Sequence, residues 1–327
     1  MKITHDQIEN EITRRACLRS FHTFFREFWG VIESEELKEN WHIKYLCDEL
    51  QEVAEKVIKR EPKDHDLVIN VPPGSTKSTI ATVMFPVWLW TRDATLRTIS
   101  SSYSASLSIN HSIKSRDIIK SDKYQKLFKL GLKDDQSGKS HYVNEHGGER
   151  MATSTGGTVT GFHAHLILLD DPLNPQMAQS EAERKTCNEY ISQTLTTRKI
   201  DKQVSATVLI MQRLHEDDPT GNMIRKKGVK HICIPGELSE KVQPQELKDY
   251  YIDGLFDPKR MNRETLQNLK ENLGSYGYAG QIQQQPAPEV GGIWQKDWFQ
   301  VVEELPKELE SVATDWDLAY TKKDSNS

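Results

Sequence analysis

Two short stretches of this 327-residue chain carry residues whose types and spacing could do chemistry. One is VPPGSTKST, which ends in Lys77, Ser78 and Thr79; the other is LILLDD, an apolar run closed by Asp170 and Asp171. Phosphoanhydride chemistry needs such a set: backbone N–H groups at a helix N-terminus around phosphate oxygens, a lysine as point charge, and a hydroxyl and carboxylates for a magnesium ion and a water. The general phosphate-loop pattern is G-x-x-x-x-G-K-[ST]. Here Val71 stands at its first glycine and Thr76 at its second, with Pro72, Pro73, Gly74 and Ser75 between. Losing both glycines removes the easy route to positive φ, so the flanks carry the assignment. Taken singly, PPGSTKST also fits a surface turn capped by Ser78, and LILLDD a core strand ending in solvated acids. In this order on one chain they fit a Walker A loop and a Walker B strand.

Elements to position both stretches are legible around them. LVINV is a β-rich run leading into the loop, and STIATVMFPVWLW is a helix leaving it, with Pro86 expected to kink it. The first sixty residues place apolar side chains at helical spacings. LRTISSS reads as a strand, ASLSINHSIKSRDIIKS as a helix, and HYVNEHGGERMATS as a hairpin turning at Gly147-Gly148. HAHLILLDD and SATVLIMQR are continuous apolar runs of the kind buried on both faces of a sheet, a polar helix from Ser180 to Arg198 lies between them, and VKHICIP supplies a further strand. Strands alternating with helices over this length predict an α/β fold, a mostly parallel sheet sandwiched by helices. From Gln281 the stretch QIQQQPAPEVGGIW has the composition of a linker.

Composition sets the outer bounds. With 36% hydrophobic and 28% charged residues the chain is expected to be globular, and its longest apolar runs fall far short of a membrane span. Four cysteines, Cys17, Cys47, Cys187 and Cys233, form no C-x-x-C pair, which argues against a zinc knuckle or a disulfide frame. His163 and His165 have no second ligand pair nearby, so a metal is not expected there. A net charge of -5 excludes an indiscriminately basic nucleic-acid coat but not a local basic channel.

VPPGSTKST, GGERMATSTGGTVTGFHAHLILLDDP, VLIMQRLHEDDPTG and the late DWDLA resemble, in order and spacing, the large terminase subunits of tailed bacteriophages, in which Walker A motifs commonly carry two prolines and lack one or both glycines. The resemblance covers nearly the whole chain. It implies a P-loop NTPase of the ASCE type, a motor that hydrolyses ATP with Mg2+ and moves double-stranded DNA into a procapsid. It also implies a portal protein and a small terminase subunit as partners, a homo-oligomeric ring on assembly with a monomer in solution, no membrane, and the host cytoplasm as location. The expected domains are an N-terminal helical segment at 1–60, the ATPase core at 61–280, a linker at 281–310, and at 311–327 the beginning of an RNase H-like nuclease, incomplete here. A helicase-like nucleic-acid-dependent ATPase, or a non-hydrolysing assembly adaptor with a degenerate P-loop, would share many of these features.

By the same resemblance Lys77 contacts the β- and γ-phosphates, Ser78 holds magnesium, and Pro73, Gly74, Ser75, Thr76 and Thr79 complete the nucleotide loop. Asp170 organises magnesium. Asp171 stands where the family usually has a catalytic glutamate, one methylene longer, and Glu181 or Glu183 could serve instead. Gln212 follows the SATVLIM strand at its C-terminal end, where ligands of open parallel sheets bind, whereas the letters SAT at 205–207 lie at the wrong end. Arg150 matches the family's arginine in GGERMATS and is expected on a hairpin at a subunit boundary, serving a neighbour's γ-phosphate; Arg213 and Arg116 are the runners-up. His42 falls where relatives carry an adenine-contacting glutamine. Asp317, with Asp315 nearby, corresponds to the first metal ligand of the nuclease.

Overall fold

A computed structural model describes residues 4–286, and these belong to one compact unit. Asp315 and Asp317, and most of the expected linker, lie outside the described residues.

Three helices come first: α1, His5–Arg19; α2, Phe21–Ile32; and α3, Trp41–Lys59. A capping box of Thr4 with Gln7 starts α1, and Ser20 both ends α1 and caps α2 by accepting from the Thr23 N–H. One continuous periodic stretch in the sequence is thereby broken into two helices. Strand β1, Asp66–Asn70, leads through the loop to a wide π-helical turn, Thr79–Met84, which runs directly into α4, Phe85–Arg92. Next come β2, Arg97–Ser102; α5, Ala105–Lys120; α6, Asp122–Phe128; β3, Leu132–Ser137; β4, His141–Asn144; and β5, Glu149–Ser154. The remainder comprises β6, Leu166–Asp170; α7, Glu181–Glu189; β7, Ala206–Met211; α8, Pro219–Ile224; β8, Val229–Cys233; and α9, Arg263–Gly277.

All eight strands join one sheet in the order β3-β4-β5-β2-β6-β7-β1-β8. From β5 to β8 every pairing is parallel, and only the β3–β4 and β4–β5 pairs are antiparallel. One strand, β7, therefore stands between the strand that feeds the Lys77 loop and the strand that ends in Asp170. Alternation along β1 sends Leu67 and Ile69 into the core beneath α1–α4 and Val68 into the second core beneath α7, so the strand is buried on both faces. Asp170 has the parity of Leu166 and Leu168 and points to the same face as the π-helical turn.

The segment after the loop is buried from Ile80 to Trp90, and Trp88 donates its indole N–H to the Cys17 carbonyl, tying α4 to α1. A buried segment cannot fray, so the loop at its start has a rigid anchor. At the other end of the described chain, a turn at Tyr278–Ile282 continues α9, and Gln284 accepts from the Arg213 N–H. Residues 281–286, expected as the start of a linker, are thus packed into the unit that holds the sheet.

Buried imidazoles at both ends of the strands set an acid limit on this fold. Burial holds His42, His165 and His231 at about 4, below their ordinary 6.5. His231 Nε2 donates to Asn70 Oδ1, and His165 Nδ1 accepts from the Arg97 N–H, a bond that only the neutral ring can make. A depressed base contributes stability that is present above about 6.5 and is lost as pH falls toward about 4. The urea midpoint is therefore expected to fall steadily from pH 7 to pH 5, and His231→Asn should flatten that slope.

Candidate functional site

The C-terminal ends of β1, β6 and β7 converge on an open cleft of about 360 Å³. Of the residues expected from the sequence, Pro73, Gly74, Thr76, Lys77, Ser78, Thr79, Asp171 and Gln212 line it. Tyr103, Leu107 and Pro175, for which no role was expected, complete the wall.

The loop takes its shape from two left-handed residues, Gly74 at φ 77° and Thr76 at φ 67°. Glycine adopts that conformation without a Cβ penalty; a β-branched residue there is strained. Thr76 thus holds the conformation that the second glycine of the general pattern would supply, and its carbonyl accepts from the Ile80 N–H to start the helical segment. Val71, at the first glycine, is a fully buried core residue. Thr76→Gly should relieve about 1 kcal/mol of left-handed strain and raise the melting temperature by roughly 2–4 °C. An unchanged or lower melting temperature would show that the threonine side chain offsets its own backbone cost.

Lys77 is nearly buried, and its Nζ lies 3.1 Å from Asp171 Oδ2. The other carboxylate oxygen of Asp171 accepts from the Gln212 N–H at 3.1 Å, and its backbone carbonyl accepts from the Tyr103 N–H at 3.1 Å. Asp171 itself is left-handed, with φ 42°. One residue therefore ties the Lys77 loop, the β2–α5 connection and the end of β7 to one another. The Gln212 side chain is buried, with Oε1 unpaired among the described residues.

Beneath the cleft Ser78 Oγ donates to Asp170 Oδ1 at 2.9 Å. Asp170 is fully buried, and burial first, then the adjacent Asp171, holds its carboxyl well above the usual carboxylate range. Its Oδ2 has no hydrogen-bond partner among the described residues, although His111 Nδ1 lies 3.3 Å away. Burial, followed by the charge of Arg150, keeps His111 neutral by pushing it down to about 4. A buried carboxylate oxygen without a donor, beside a serine hydroxyl, is a hard oxygen set of the kind that Mg2+ takes through one or two protein ligands. His111 escaped the sequence reading because it approaches Asp170 only through the packing of α5 on the sheet.

Several expectations are not met by this geometry. His42 is fully buried below the loop rather than beside a base: Asn40 Nδ2 donates to its Nδ1, and its Nε2 donates to the Ser75 carbonyl at 2.9 Å. The ring packs on Phe256, 4.5 Å between centroids. The Ser75 side chain is buried as well, which leaves only its backbone amide for the role expected of it. Arg150 is 1% exposed: β5 lies between β2 and β4 instead of forming a free hairpin at a boundary, and α5 and the π-helical turn, whose Thr82 carbonyl it reaches, cover its side chain. Of the runners-up, Arg213 pairs with buried Asp218 at 2.9 Å, and half-buried Arg116 donates from Nη1 to the Ser137 carbonyl; neither lines the cleft. Glu181 and Glu183 are exposed in the first turn of α7, away from the cleft lining.

On the far side of Thr76 lies a second cavity, of about 660 Å³, walled by Trp29, Leu37, Glu39, Lys259 and Arg260. Thr76 lines both spaces.

No family model and no curated protein matches the chain. Among solved structures it is similar to the HK97 bacteriophage large terminase, at 12% identity and a TM-score of 0.45, over 77% of this chain and 52% of that one. It is also similar to the large terminase of the thermophilic bacteriophage D6E in complex with ADP, at 10% identity and a TM-score of 0.38, over 71% of this chain and 51% of that one. The chain spans about half the length of these solved terminases.

Proposed function

We propose that the chain is a magnesium-dependent P-loop ATPase of the ASCE type that works as a DNA-packaging motor. The observation that carries the ATPase reading is the convergence of Lys77, Ser78, Asp170 and Asp171 at one end of the sheet, with a single strand between the loop strand and the carboxylate strand. The packaging reading rests on the order and spacing of the four sequence motifs.

In this reading the triphosphate lies along the loop from Gly74 to Thr79, and base and ribose occupy the cavity beyond Thr76. Ser78 and Asp170 would hold Mg2+, and the ion would supply charge neutralisation at the phosphates. Lys77 leaves Asp171 to meet the β- and γ-oxygens, and the freed carboxylate orients and polarises the attacking water. Gln212, held by its backbone to Asp171, is placed to report whether a γ-phosphate is present. His42 acts from behind, fixing the Ser75 carbonyl and with it the loop. Double-stranded DNA, a portal protein, a small subunit and ring assembly belong to this proposal, as does the host cytoplasm.

Phosphate release tests it. Wild-type protein is expected to hydrolyse ATP only with Mg2+ or a similar hard cation, faster with double-stranded DNA and procapsids present. No release under any of these conditions would leave the non-hydrolysing adaptor. Release accompanied by separation of a forked duplex would make it a helicase.

A further inference from the structure

Arg150 is the largest buried cation of the sheet, and nothing in the proposed reaction uses it. Its Nη2 donates to the Thr82 carbonyl at 2.6 Å, while Nε and Nη1 have no hydrogen-bond partner among the described residues. The carbonyl it reaches is a particular one. In a regular helix the Thr82 oxygen would accept from the N–H four residues on, and that residue is Pro86, which has none. The backbone widens into the π-helical turn at this point, with the Phe85 N–H bonded to the Ile80 carbonyl. The next carbonyl along, that of Val83, takes the Ser115 hydroxyl from α5 at 2.7 Å. A side chain from β5 thus supplies a donor where the proline interrupts the ladder, and one from α5 bonds the carbonyl beside it.

We propose that Arg150 is a positioning residue that fixes the helix after the phosphate loop by donating to the carbonyl Pro86 leaves without its helical partner. Ser78 lies one turn before Thr82, and its 2.9 Å contact with Asp170 depends on where that helix stands against β6. Arg150 holds the helix from the next strand but one, since β5 pairs with β2 and β2 with β6. The role belongs to the same chain, and its bearing on catalysis rests on the ATPase reading; the link between Arg150 and Pro86 does not.

A double-mutant cycle tests both parts. In Arg150→Met the Thr82 carbonyl loses its donor, and the Kd for Mg·ADP should rise on the order of tenfold with a lower urea midpoint. Pro86→Ala returns an N–H to position 86, so Arg150→Met in that background should lose much less on both measures. Arg150→Lys, which keeps a donor, should fall between wild type and Arg150→Met, and it serves as the cycle partner if Arg150→Met does not fold. Equal losses with and without Pro86→Ala would overturn the proposal. So would recovery of turnover on mixing Arg150→Met with an Asp171→Asn variant, because that requires the guanidinium to act on another copy. Coupling in the urea midpoint with no nucleotide bound by any variant would retain the link and remove the ATPase reading alone.

Discussion

Lys77→Ala should lower ATP turnover on the order of 10³-fold or more while the protein melts within a few degrees of wild type. The lysine contributes charge, not shape. Loop geometry comes from Gly74, Thr76 and the His42 contact to Ser75, none of which touches the ammonium. Removing Lys77 leaves Asp171 without its ion pair, but that carboxylate is 20% exposed and still accepts from the Gln212 N–H, so water can replace the lost contact. Phosphate release with calorimetry on the same sample separates the outcomes. Turnover near wild type would remove Lys77 from the reaction, and a collapse of the melting transition would show that it supports the fold.

Asp171→Asn is expected to have the second large effect, with opposite signs on its two measures. Turnover should fall by about 10² to 10⁴, the range associated with a positioned general base. Nucleotide affinity should rise. In the wild-type cleft Lys77 must leave Asp171 before it meets a phosphate, and a partly exposed pair of this kind is worth up to about 1 kcal/mol, a factor of about five in Kd. Asparagine keeps an oxygen for the Gln212 N–H and gives up the ion pair. Slow turnover with weaker binding would mean that Asp171 holds the loop open for nucleotide instead of competing with it.

Local signals in the sequence located the cleft. The apolar runs of β1 and β6 are continuous, their polar ends carry Lys77-Ser78 and Asp170-Asp171, and each assignment needs only neighbouring residues. What escaped depends on distant partners. Arg150 sits in a short alternating stretch that has the local pattern of an exposed hairpin, and it is covered because α5 and the π-helical turn, both from earlier in the chain, pack over it. His42 is sealed by Phe256 from the far end of the chain, so its position before the loop misplaced it beside a base. His111 and Tyr103 approach the carboxylates only once α5 packs on the sheet. Thr76 shows the converse: its misfit to the glycine pattern was visible, but only the backbone shows that the conformation was kept and the residue changed.

The Lys77–Asp171 contact also bears on how a nucleotide arrives. Among the residues lining the cleft Lys77 is the sole cation and Asp171 the sole anion, and their contact pairs the two charges. Under the ATPase proposal this pair adds little net attraction for an arriving triphosphate, so its contribution to the association rate should vary little with ionic strength. In the proposed reaction the full positive charge of Lys77 appears only after the phosphates have displaced Asp171, so salt should act on how long the nucleotide stays. If the ATPase proposal holds, selection in this cleft is exerted at departure, on residence time, and the Lys77–Asp171 pair leaves encounter to diffusion.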